Sequence, residues 1–102
     1  MWPNLSAQRI SNSNSSPDNI YNLANYPNPF NGSTTLTANV PAGITAQMLI
    51  TDLLGKQIGK YNLHEGNNTV LFDKTDVSGI LFYTLIMDGI KKETKMMMKN
   101  GQ

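Results

Sequence analysis

The chain has 102 residues, a formal net charge of +1, no cysteine, and only 15% charged residues against 39% hydrophobic ones. That length supports one small two-layer core and excludes a second lobe with a deep cleft. Near-neutrality excludes a general electrostatic attraction to nucleic acid, and the lack of cysteine excludes disulfide staples and thiolate metal sites.

Residues 1–19 read as a flexible linker from a preceding domain. The run Ser11-Asn12-Ser13-Asn14-Ser15-Ser16-Pro17-Asp18-Asn19 offers nothing to bury and cannot offset the entropy of ordering. Trp2, Leu5 and Ile10 are isolated apolar residues before it. The first residues carry neither a basic start nor an apolar stretch, so an export signal is expected either upstream of residue 1 or in a different form within the chain.

Residues 20–102 form the folded unit. Its opening segment, Tyr26-Pro27-Asn28-Pro29-Phe30, contains prolines two apart. They fix φ and remove backbone donors, and they push Tyr26 and Asn28 toward extended conformations. A strand expected over Leu23 to Phe30 therefore joins a sheet only at an edge, with Phe30 as its anchor.

Alternation then predicts a strand over Thr34 to Val40, with Leu36, Ala38 and Val40 on one face. Gln47 to Leu53 is next, with Met48 and Ile50 together. Leu54-Gly55-Lys56 is a tight turn in which Gly55 takes a positive φ. Gln57 to Leu63 follows, then a turn at Glu65-Gly66-Asn67-Asn68 and a strand from Thr69 to Phe72. Asp73 to Gly79 reads as a loop from which Val77 tucks inward.

Leu81 to Met87 is the most apolar strand and is placed centrally. Asp88-Gly89 is a strong hairpin signal, and Ile90 to Met98 returns antiparallel. About seven short strands, with no stretch of helical period, predict an all-β, immunoglobulin-like sandwich of antiparallel strands.

Little in the sequence points to chemistry. His64 is the only histidine, no triad or zinc-ligand pattern surrounds it, and it reads as a surface residue. Asp52, Asp73 and Asp76 sit at strand ends, where carboxylates accept hydrogen bonds from turn amides, and no calcium-loop pattern is present. No phosphate-binding glycine loop occurs. The reading is of a non-enzyme with no cofactor, no metal and no small-molecule substrate. No apolar run approaches the roughly 20 residues of a membrane span.

Two features of the last arm stand out. Lys91, Lys92, Lys95 and Lys99 make it basic, which protects an edge strand from aggregation or offers a surface to an acidic partner. Met96-Met97-Met98 must place side chains on both faces, so part of this run is core and part is available for adaptable contact.

Taken together, Tyr26-Pro27-Asn28-Pro29-Phe30, Asp52-Leu53-Leu54-Gly55-Lys56, Ser78-Gly79-Ile80 and Lys95-Met96-Met97-Met98-Lys99 resemble, in order and spacing, the type A C-terminal sorting domain of the type IX secretion system of Bacteroidetes. The resemblance spans about residues 20–99. It differs at Leu81, where the family usually has Tyr. It implies an immunoglobulin-like fold and a sorting-motif role, in recognition or structure, for Tyr26, Pro27, Asn28, Pro29, Phe30, Asp52, Gly55, Gly79, Lys95, Met96, Met97, Met98 and Lys99. The partners it implies are the type IX translocon, a sortase-like protease and an N-terminal cargo domain, with the cut site in the linker. The other reading left open is an accessory immunoglobulin-like or carbohydrate-binding module of a secreted hydrolase.

Overall fold

The structure, a computed structural model, describes residues 20–74 and 76–100. The linker expected over residues 1–19 lies outside the described residues. Seven strands follow one another: β1 (Ala24–Tyr26), β2 (Thr34–Val40), β3 (Ala46–Asp52), β4 (Gln57–Leu63), β5 (Gly66–Phe72), β6 (Gly79–Met87) and β7 (Ile90–Lys99). They form a three-stranded sheet in the order β1-β2-β5 and a four-stranded sheet in the order β4-β3-β6-β7, and all ladder pairs are antiparallel.

The chain crosses between sheets after β2, β4 and β5, and makes local hairpins at β3–β4 and β6–β7. This is the expected immunoglobulin-like sandwich.

Period-2 alternation decides which side chains face inward. Leu36, Ala38 and Val40 of β2 meet Met48 and Ile50 of β3 and Leu81, Tyr83, Leu85 and Met87 of β6 in one core. Phe72 and Met97 complete it from β5 and β7. The apolar β6 is flanked by β3 and β7, as its composition requires. Val77 packs against the core from the β5–β6 loop.

The β6–β7 turn follows from its sequence. Asp88 and Gly89 both have positive φ, 50° and 81°, the geometry whose twist matches the flanking strands.

Two boundaries differ from expectation by three residues or more. The opening strand is only three residues long on β2. Beyond Tyr26 the chain leaves that sheet, and Phe30 makes a parallel bridge to Lys99 on the other. The prolines end the ladder because they lack N–H groups. Second, β5 begins at Gly66, inside the expected turn, because Gly66, Asn67 and Asn68 pair with Val40, Asn39 and Ala38. The reversal between β4 and β5 is confined to His64 and Glu65.

Candidate functional site

The two ends of the domain meet. Pro27 and Pro29 cannot donate to a neighbouring strand, but Asn28 between them carries an amide that can both donate and accept. Its Nδ2 donates to the Met96 carbonyl at 3.3 Å, and its Oδ1 accepts from the Met98 N–H at 3.0 Å. The side chain thus replaces the main-chain pairing that the prolines deny. The main chain resumes that pairing at Phe30, whose N–H donates to the Met98 carbonyl, while Asn100 donates to the Phe30 carbonyl, both at 2.9 Å. Both prolyl bonds in this arm are cis.

Phe30 itself is buried and meets Phe72 edge-to-face, with ring centroids 6.2 Å apart. Such aromatic pairs stabilise beyond the area they bury.

The near end of the arm is fixed by a polar cluster that sequence reasoning missed. The Thr34 hydroxyl donates to the Pro27 carbonyl at 2.8 Å. Asn25 Nδ2 reaches both that carbonyl, at 3.2 Å, and Thr34 Oγ1, at 3.1 Å. The hydroxyl of Tyr83 crosses the core to donate to Asn25 Oδ1 at 3.1 Å. Burial, and to a lesser extent the Glu93 carboxylate, push the Tyr83 phenol up to about 12. Tyr83 supplies core aromatic bulk in β6, two positions on from the buried Leu81. Tyr26 projects outward, largely exposed.

The Lys-Met run divides by face. Met97 is buried in the core, whereas Met96 and Met98 are 54% and 39% exposed. Lys95 is half-buried. Lys99 is only 7% exposed, and its ammonium donates to the Val77 carbonyl at 3.0 Å. The basic surface expected on this strand therefore loses one of its lysines to the interior, and the arm covers its edge from Met96 onward. Gly79 opens β6 directly opposite Lys99.

The Asp52 turn is self-contained. Asp52 Oδ1 accepts from the N–H groups of Leu54, at 2.9 Å, and Lys56, at 2.8 Å. Gly55 closes the turn at a φ of 89°, a region costly for any residue with a Cβ. Asp52 and Gly55 thus shape the hairpin tip and hold Leu53 and Leu54 out in solvent. A cleft of about 450 Å³ beside the turn is lined by Lys56 and Lys74 as well as Asp52 and Asp76.

His64 Nδ1 bonds to the Glu65 carbonyl. The buried Asn68 clasps the same reversal, accepting from His64 N–H at 2.9 Å and donating to the carbonyls of His64 and Gly66 at 2.7 and 3.1 Å. Burial, then the charge of Asp73, raise the Tyr61 phenol. Among the described residues there is no cluster of His, Cys, Asp and Glu able to hold a metal ion. No helix among them is long and apolar enough to cross a membrane.

An immunoglobulin-like sandwich hosts many unrelated functions, so the architecture by itself assigns none. The family model for the secretion system C-terminal sorting domain matches residues 24–100, and the chain belongs to that family. The match covers every motif residue from Tyr26 to Lys99. No curated protein and no solved structure matches the chain. Membership makes this a C-terminal sorting signal of type IX secretion, exported by way of the periplasm to the cell surface or the medium. The family is one of sorting signals and not of catalysts.

Proposed function

We propose that this domain carries an N-terminal cargo protein, delivered to the periplasm, through the type IX translocon of the outer membrane, and that a sortase-like protease then removes it. The machinery reads the unit made by the last strand and the opening arm. The observation that carries this reading is the junction of Asn28 and Phe30 with Met96, Met98 and Asn100. It unites two motifs from opposite ends of residues 20–102, the folded sorting domain, into one surface. In this reading Asp52, Gly55 and Gly79 shape the scaffold. The cut falls within residues 1–19, whose Ser- and Asn-rich run has the small, polar composition that proteases favour.

The test is to fuse the 102-residue chain behind a reporter bearing a Sec signal, in a bacterium competent for type IX secretion. The reporter is expected on the surface or in the medium, without the sorting domain. Retention in the periplasm overturns the reading. Export with the domain still attached overturns only the removal step.

A further inference from the structure

Outer faces of a two-sheet sandwich usually carry polar residues. The outer face of β6 instead presents Ile80, Phe82 and Ile86, relieved only by Thr84. The register extends this surface sideways. Phe82 lies between Thr51 of β3 and Met96 of β7, Ile80 lies beside Met98, and Leu49 flanks Thr84. Apolar side chains thereby stand side by side on β6 and β7, and Leu49 of β3 lies diagonal to Phe82 and Ile86.

The β7 edge is less open than this face. Between Leu85 and Ile86 the β6–β7 register shifts, so that Lys92 bulges out of the ladder, and such bulges obstruct strand addition. From Met96 to Asn100 the edge is already occupied by Asn28 and Phe30.

We propose that the outer face of the four-stranded sheet, centred on Phe82, Met96 and Met98, is where a protein of the secretion machinery docks, through an apolar patch margined by carboxylates. This rests on the sorting reading above and deepens it. The charges define the partner. At the outward positions of β3, β4, β6 and β7 the charged residues are Lys60 and Lys91, with no carboxylate among them. Exposed Lys92 adjoins them. A second copy stacked face to face meets these cations with no acid, whereas a partner with marginal carboxylates complements them.

An anionic lipid surface shares that charge. However, Ile80, Phe82, Ile86 and Leu49 are half-buried, and the face displays no Trp or Tyr of the kind that anchors proteins at a bilayer interface. Unbranched, polarizable methionines at its most exposed positions suit adaptable protein contact.

The experiment uses the reporter fusion with the full chain. Met96→Glu is expected to lower export by about tenfold or more, the scale of losing an anchor near the centre of an interface, and Lys91→Glu, which sets a carboxylate against the partner's marginal carboxylates, is expected to lower it by a similar factor. Met96→Gln, which adds no charge, is expected to lower it less. Leu71→Glu, an exposed position on the other sheet, is expected to export normally. Protease resistance of the periplasmic fusion checks that each variant folds.

Loss of export in the wild-type fusion sinks the sorting reading itself. Normal export of folded Met96→Glu and Lys91→Glu, with wild type exported, overturns the docking face alone. Two further results overturn the protein partner. One is sedimentation of the wild-type fusion, but not Met96→Glu, with phosphatidylglycerol vesicles. The other is self-association of the wild type that Met96→Glu abolishes.

Discussion

Asn28 and Met98 stand 70 positions apart, yet the Asn28 side-chain oxygen accepts the Met98 N–H at 3.0 Å. With the return bond from Nδ2 to Met96, one side chain does the work of a strand residue. Asn28→Ala removes both bonds. It is expected to destabilise the domain by about 1 kcal/mol, since each solvent-exposed bond contributes modestly. Asn28→Asp keeps the acceptor and loses the donor. Amide exchange at Met98 separates them: protection falls in Asn28→Ala and persists in Asn28→Asp.

Met97 and its neighbours are chemically identical and structurally opposite. Met97→Ala opens a cavity in the core and is expected to cost about 2–5 kcal/mol. Met96→Ala and Met98→Ala, on the outer face, are each expected to stay within about 0.5 kcal/mol of wild type. Urea midpoints of the three variants check this, and equal losses contradict the division by face.

Tyr83 makes stability depend on alkaline pH. Its phenol titrates at about 12 in the fold, against 10.0 ordinarily. The folded state holds this proton more tightly than the unfolded chain does. The resulting contribution is therefore whole below pH 10 and is lost as pH rises through about 12. Tyr61, raised in the same sense, adds to the decline. Tyr83→Phe is expected to flatten part of this decline in urea melts between pH 9 and 12. At neutral pH it is expected to cost about 1 kcal/mol, because Asn25 Oδ1 loses its donor. An unchanged alkaline slope contradicts the assignment.

Alternation alone placed Leu36, Ala38, Val40, Met48 and Ile50 in the core, because a sheet with one buried face imposes a period of two on its sequence. The proline arm was legible as an edge segment, since missing N–H groups are a local property. Its partner was not, because the Asn28 bonds to β7 exist only once both ends of the chain are folded. Gly66-Asn67-Asn68 read as a turn by composition. The ladder to β2 and the four-way bonding of Asn68 override that propensity. Lys99 misled for a similar reason: a lysine near a chain end reads as solvated, and only the tertiary fold brings the Val77 carbonyl to its ammonium.

The Asp52 turn tests whether a motif residue can be purely architectural. Asp52→Ala frees the Leu54 and Lys56 amides and is expected to cost about 1–2 kcal/mol. Gly55→Ala, at a φ of 89°, is expected to cost about 1–2 kcal/mol through backbone strain. If the turn only shapes the hairpin, export of either variant falls in proportion to its loss of stability, and cooling restores both together. An export defect that survives when thermal melts show full folding contradicts the architectural role.

Lys99 separates signal from scaffold at the other end. Deleting residues 95–102 removes Met97 from the core and strips Phe30 of its main-chain partners, so unfolding is expected along with any loss of export. Lys99→Met is gentler. It preserves the apolar stem and leaves the Val77 carbonyl without its donor, an expected cost of about 1–3 kcal/mol. The ammonium points into the protein and presents no charge to a partner. Lys99→Met is therefore expected to be exported at the level its stability permits, whereas Lys91→Glu fails while fully folded. Thermal melts run beside the export assay check the pair. A fully folded Lys99→Met that is not exported would mean that the ammonium is read directly, and that the β7 end opens during recognition.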